Sequence, residues 1–360
     1  MRALAFYLPQ FHPIAENDAW WGKGFTEWTN TAKAKPLFPG HSQPKVPADL
    51  GFYDLRCPES RQAQAELARQ YGIEAFCYWH YWFAGRRILE RPFEEVLASG
   101  HPDFPFCLAW ANETWTGVWH GAKNKILIEQ TYPGLDDHER HFQYLLTAFQ
   151  DKRYVKVDGK PLFLVYRPKW IPEAPRVTDF WRELALKAGL PGLHLVACLH
   201  NEDAFDPRKL GFDAVNISNQ VRIMEVEPKT WAGRTARAMR LRYRKARGQP
   251  PHVYPYKDAM RHFLDGAKPG IECYPSVVPG WDNTPRSGVR GVVLQGRTPA
   301  LFRQHLREAL DRVSSLPPEH RLVFIKSWNE WAEGNYLEPD LADGHAYLEV
   351  VGQELGRLPK

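Results

Sequence analysis

The sequence offers little that would mark a disulfide scaffold, a metalloprotein or a membrane span. Its 360 residues hold five cysteines, Cys57, Cys77, Cys107, Cys198 and Cys273. The number is odd and no pair has metal-ligand spacing. Four lie in apolar runs, so they read as buried reduced thiols. No apolar run is long enough to cross a bilayer. No signal peptide is visible, since Arg2 leads at once into the first apolar run. A cytoplasmic location is therefore the default expectation. Charge of one sign is also lacking: 47 basic against 42 acidic residues leave a formal +5. That balance gives no reason to expect nucleic acid. HxxxH and HExxH helices are missing, and so is a G-x-S-x-G elbow. A metal or a serine nucleophile is not expected, nor is any cofactor. Gly22-Lys23-Gly24 lacks the spacing of either nucleotide motif, and no helix pattern follows it.

Large aromatics are what the chain has in quantity, with 14 Trp and 15 Tyr. Many sit beside polar residues at the ends of apolar runs, which a plain core would not require. Indoles and phenols stack on the apolar faces of sugar rings. The densest cluster begins at Leu322 as a short apolar run and becomes Trp328-Asn329-Glu330-Trp331-Ala332-Glu333-Gly334. Carboxylates beside large rings are costly to desolvate unless paired or used. This cluster reads as the chemical centre.

Eight apolar runs read as strands: 3–8, 75–79, 104–109, 162–166, 193–199, 214–218, 271–278 and the run opening at Leu322. Helical patterns fall at 58–71, 92–99, 136–150, 177–188, 256–266, 298–314 and 345–358. Thr298-Pro299 suits a helix start, with Thr as cap and Pro in the first turn. Strands alternating with helices predict α/β structure with a parallel sheet. Eight units without a dinucleotide fingerprint predict a single (β/α)₈ barrel over 1–360. The stretch 16–50 reads as a long aromatic-rich loop after strand one, folded over the barrel mouth. The arginine-rich run 234–247 reads as a solvated helix face, with peripheral contact to an anionic glycan, lipid phosphate or membrane as the sharper alternative.

Barrel enzymes carry their chemistry at the carboxyl ends of strands. Those ends, with the loop, supply Tyr7, Gln10, His12, Glu27, Trp28, His80, Tyr81, Trp82, Trp110, Asn112, Glu113, Trp281, Asp282, Asn283, Trp328 and Asn329 as candidate substrate-binding residues. Arg167, His200 and Glu202 occupy similar places. Each has a plain alternative: His80 a core histidine, Glu113 a helix cap, Asp282-Asn283 a turn. Together they form the mixture that recognises sugars: amides and acids for hydroxyls, indoles for ring faces, two acids for the glycosidic bond.

Tyr7-Leu8-Pro9-Gln10-Phe11-His12-Pro13, Trp20 to Trp28, Trp110-Ala111-Asn112-Glu113, Trp281-Asp282-Asn283 and Trp328 to Gly334 resemble the WbsX-type family of bacterial polysaccharide loci. That family is similar to the family 99 glycoside hydrolases, the endo-α-mannosidases. The resemblance covers nearly the whole chain. It implies a (β/α)₈ barrel acting on glycans; a lipid-linked oligosaccharide is the substrate that would reconcile this with the expected cytoplasmic location. It also implies that the acids of the Asn-Glu-Trp-x-Glu-Gly motif, Glu330 and Glu333, are catalytic.

Three readings of function stand beside one another. The first is a hydrolase or transglycosidase using two glutamates, with retention favoured. The second is a nucleotide-sugar-dependent transferase, fed by the E-x₇-E spacing of Glu330 and Glu338. The third is a non-catalytic glycan-binding barrel. Under the first, Glu333 is the candidate general acid/base, with a pKa raised by Trp331 and by the charge of Glu330. Glu330 is its partner on the sugar side.

Overall fold

The computed structural model describes residues 1–117, 126–199, 205–228, 230–266 and 270–359. Eight strands form the framework: β1 Arg2–Tyr7, β2 Ala75–His80, β3 Phe106–Trp110, β4 Lys160–Val165, β5 His194–Leu199, β6 Ala214–Ile217, β7 Glu272–Val277 and β8 Leu322–Ile325. Each pairs in parallel with the next, and β8 returns to β1 through the register Leu4↔Phe324. The sheet is closed, a (β/α)₈ barrel. All six residues of β2 and of β5 are buried. Such continuous apolar runs are what strands covered on both faces require.

The outer helices follow the predicted pattern over most of the ring: α3 Pro58–Gln70, α4 Arg91–Ser99, α5 Leu135–Phe149, α6 Ala174–Lys187, α10 Pro299–Val313 and α11 Ala346–Glu354. The Thr298 hydroxyl accepts from the Leu301 amide at 3.2 Å, and Pro299 sits in the first turn, the expected cap. A 3₁₀ turn at Pro207–Leu210 stands between β5 and β6 where the repeat would place a full helix. The predicted helix 256–266 is reduced to α8 Tyr256–Ala259 and a 3₁₀ turn at Met260–His262.

The stretch 16–50 departs from a bare loop. It contains α1 Ala15–Trp21 and α2 Glu27–Lys33. The second follows Gly22-Lys23-Gly24 closely, where no helix was expected. The reason is local: Thr26 and Thr29 form a reciprocal capping box at its start. Two side chains further along, His41 and Gln43, reach Asp282 beyond β7, both at 2.7 Å. The segment is thus folded over the barrel mouth.

Rings from four strands stack within the barrel. Tyr274 of β7 meets Phe324 of β8 at 6.5 Å, Phe324 meets Phe6 of β1 at 5.4 Å, and Phe6 stacks on Trp79 of β2 at 4.8 Å. The arginine-rich run folds as α7 Trp231–Ala246, which buries none of its residues. No helix among the described residues is long and apolar enough to cross a membrane.

One side chain closes β1 against the segment after β8. Asn329 accepts from the Leu8 amide at 2.7 Å and donates to the Leu8 carbonyl at 3.1 Å. Both partners are buried, so removing the amide strands two backbone groups. Asn329→Ala should lower unfolding free energy by about 1–3 kcal/mol. Urea denaturation checks this, and an unchanged midpoint would mean that the clamp carries no stability.

Candidate active site

The site starts where β8 ends. Asn329-Glu330 pairs antiparallel with Asn335-Tyr336, and the 3₁₀ turn Trp331–Glu333 lies between them. Gly334 closes the turn at φ 58°, and a Cβ there would come within 2.9 Å of Asp282. A 3₁₀ turn eclipses residues three apart. The tight turn keeps the Glu330 and Glu333 carboxyls near each other, close enough for each to shift the proton affinity of the other.

Arg286 fixes this pair. It projects from the one-turn helix α9 Thr284–Ser287, just beyond β7. Its Nη1 donates to Glu333 at 2.6 Å and its Nε to Glu27 of α2 at 2.7 Å. Its Nη2 lies 3.8 Å from Glu330. Three carboxyls from two distant segments meet one guanidinium.

Burial works against the charge of Glu330. Lys326, Arg286, the neighbouring Glu333 and the Trp79 indole at 3.1 Å together outweigh it. The Glu330 pKa ends below the usual carboxylate value. Glu333 goes the other way: burial and the neighbouring Glu330 charge push it up to about 8, against Arg286 and Lys326. One acid of the pair is ionised at neutral pH and the other keeps its proton.

Around the pair lies a cavity of about 580 Å³. Trp21, Trp79, Tyr81, Trp115, Tyr166 and Trp281 give it aromatic walls. Gln10, Glu113, Arg167, Asn283, Gln220 and Lys326 add polar edges. Among the described residues, no three or more His, Cys, Asp or Glu side chains group so as to hold a metal ion.

The family model described as Glycosyltransferase WbsX matches residues 3–351. The chain belongs to the WbsX family. Two relatives from Xanthomonas campestris pv. campestris, each called uncharacterized protein WxcX, are 42% identical over 359 residues, covering 99% of this chain and 50% of each relative. The chain thus spans about half the length of the curated relatives it matches. Among solved structures, the GH99 endo-alpha-mannosidase from Bacteroides thetaiotaomicron aligns with a TM-score of 0.60 at 15% identity, over 99% of this chain and 96% of that one. A glycoside hydrolase-like protein aligns at 0.59 and 14% identity, over 98% and 93%. At such identities the likeness speaks for the fold.

In this WbsX chain, nine residues singled out from the sequence line the cavity: Gln10, Glu27, Tyr81, Glu113, Arg167, Trp281, Asn283, Glu330 and Glu333. The other ten stand behind it. Tyr7 donates to Gln64 at 2.7 Å, and Trp28 to the Tyr53 carbonyl at 2.8 Å. His12 is buried, and burial lowers its pKa to about 4. His80 bonds His141 at 2.8 Å, and burial lowers its pKa to about 3. Trp82 donates to Asp137 at 3.1 Å, and Trp110 to the Trp82 carbonyl at 3.2 Å. Asn112 bonds the Arg167 amide and carbonyl, at 2.7 and 2.9 Å, and so orients a cavity residue. Trp328 is fully buried and Asn329 is the clamp described above. Asp282 is a junction. It accepts from Gln43 and Thr284, bonds His41, and donates its amide to the Glu333 carbonyl at 2.6 Å. Those bonds outweigh burial and hold its pKa low. His200 and Glu202 lie outside the described residues.

Several cavity residues were missed, above all Arg286, Trp79, Tyr166 and Lys326. Strand parity carried a signal for Trp79. Side chains alternate along a strand, so Trp79 and Tyr81 share one face while His80 and Trp82 share the other. The same alternation puts Ala111 and Glu113 in the cavity and leaves Trp110 and Asn112 out. For Arg286, three glutamates bound for one site imply a cation nearby, and it stands three residues after Asn283.

Arg286 lowers both acids of the pair, so Arg286→Met raises both pKa values in the folded state. The unfolded chain releases those protons near pH 4.3. A folded pKa above the unfolded one gives stability that is lost as pH rises through it. Arg286→Met should therefore fall further behind the parent between about pH 5 and pH 8, by about 3–5 kcal/mol at the upper end. Urea unfolding across that range checks it; a pH-independent difference would mean that Arg286 acts by packing alone.

Proposed function

We propose that residues 1–360 form one catalytic domain that breaks or transfers a glycosidic bond, with Glu330 and Glu333 as its acids. The observation that carries this reading is a pair of carboxyls gathered at one guanidinium, with opposed proton affinities, in an aromatic-walled cavity. Oppositely shifted acids are the usual mark of an acid and base assignment. Indole walls with amide and acid edges suit a glycan, free or lipid-linked. On this reading, work on a lipid-linked glycan would proceed at the cytoplasmic face of a membrane.

Inverting enzymes leave about 6.5–9.5 Å between carboxyls for a water, and double-displacement enzymes about 5–5.5 Å. Glu330 and Glu333, three residues apart and drawn to one guanidinium, favour the closer arrangement and retention. The resemblance to family 99 suggests a route in which the sugar supplies its own nucleophile. Ionised Glu330 takes the proton of the 2-hydroxyl, and that oxygen attacks the anomeric carbon. The bond to the leaving oxygen breaks as Glu333 hands over its proton. Water or an acceptor hydroxyl then opens the strained ring, with Glu333 taking its proton and Glu330 returning one to the 2-oxygen. The anomeric configuration is retained. An acceptor sugar in place of water makes the same site a transferase, in keeping with the family's description.

The nucleotide-sugar alternative rested on Glu338. That carboxyl is buried away from the cavity and accepts from Trp331 at 2.6 Å, Tyr53 at 2.9 Å and Gln64 at 2.6 Å. Burial raises its pKa to about 7. These contacts support a role in holding the catalytic turn instead.

Glu333→Gln should slow turnover about 10²–10⁴-fold and lose the alkaline limb of the pH profile. An activated aryl glycoside should restore much of that rate, since a good leaving group needs little protonation. Glu330→Gln should stay slow with every leaving group. Rates across a leaving-group series decide the matter, and identical behaviour of the two variants would overturn the assignment.

A further inference from the structure

The helix α7 has a side that the catalytic reading leaves unused. Residues 231–247 hold seven cations, Arg234, Arg237, Arg240, Arg242, Arg244, Lys245 and Arg247, and no acid. Three of them hold the helix to the protein. Arg237 donates to the Val226 carbonyl at 2.6 Å and also to that of Met224. Arg244 donates to the Pro250 carbonyl at 2.7 Å and lies 4.5 Å over Phe38, and Arg240 lies 5.3 Å over Tyr254. These positions recur at helical spacing, so they define one face of α7.

The remaining surface is exposed and mixed. Arg234, Arg242 and Lys245 are exposed beside Trp231 at 75%, Met239 at 60% and Tyr243 at 57%. A purely solvated helix has no use for three large apolar side chains held in water. Hydrogen bonding to an anionic glycan would employ the cations but not Met239. Cations with Trp and other apolar groups on one exposed helix suit the boundary between lipid headgroups and acyl chains. Basic segments near anionic lipid gain about five-fold in affinity per charge.

The place of the helix adds a consequence. Arg237 fastens it to the segment carrying Val221 and Met224, which line the cavity. We propose that α7 docks on an anionic lipid surface through Trp231, Met239 and Tyr243 with Arg234, Arg242 and Lys245, and so holds the cavity rim beside that surface. The docking does not depend on the catalytic reading, and either can fail alone.

Co-sedimentation with vesicles tests it. One set is phosphatidylcholine alone and the other includes about a third phosphatidylglycerol. The full chain should bind the anionic vesicles and lose them as salt rises. Arg234→Glu with Arg242→Glu should weaken that binding about 10-fold or more. Trp231→Ser with Met239→Ser should weaken it too while leaving the salt dependence in place. Both double variants alter exposed side chains, and their melting temperatures should match the parent's. Failure to bind anionic vesicles overturns the proposal. So does equal binding to soluble polygalacturonate with no effect of the apolar substitutions, which would make α7 a polyanion-binding surface.

Discussion

Three carboxyls gathered on one buried guanidinium form the constraint around which the barrel mouth is arranged. Glu27 comes from the segment after β1, Glu330 and Glu333 from the turn after β8, and Arg286 from the turn after β7. Buried charges are tolerated only when paired and hydrogen-bonded. Each of the three segments is therefore held in place by its need for the others. The same arrangement sets the chemistry. Burial and the charge of Glu330 outweigh Arg286 and Lys326 at Glu333, which keeps its proton at neutral pH, the state that the proposed acid role requires.

Around that centre stand side chains that never touch the cavity but decide its shape. Asp282 ties the long segment, through His41 and Gln43, to the backbone of Glu333. Glu338 holds the Trp331 indole from below. Asn329 fastens the start of the turn to β1. A turn clamped from three directions holds Glu330 and Glu333 in place without a substrate to order them. On the proposed reading, such preorganised acids would avoid reorganisation during reaction.

The period-two alternation of strands explains which candidate residues reached the cavity. Every strand end presents two faces, one toward the barrel mouth and one toward the helices. His80, Trp82, Trp110 and Asn112 fell on the helix side, where they bond His141, Asp137 and the Arg167 backbone. Their neighbours Trp79, Tyr81 and Glu113 fell on the mouth side. These clusters were recognisable in the sequence as clusters, because they mix indoles with acids and amides at strand ends.

By itself the sequence determined the eight strands and their order, and it singled out the 328–334 motif whose Glu330 and Glu333 line the cavity, since hydrophobic period and local composition are properties of neighbouring residues. Most outer helices were legible for the same reason, down to the cap at Thr298. The helix at Glu27–Lys33 was hidden because a capping box, and not an apolar stripe, establishes it. Only the tertiary structure decided the phase of each strand, and hence which member of each cluster faces the mouth. It alone brought Arg286 to Glu27, 259 positions away. Pairing of that kind depends on how the barrel closes, and closure is a sum over all eight strands that no local stretch of sequence contains.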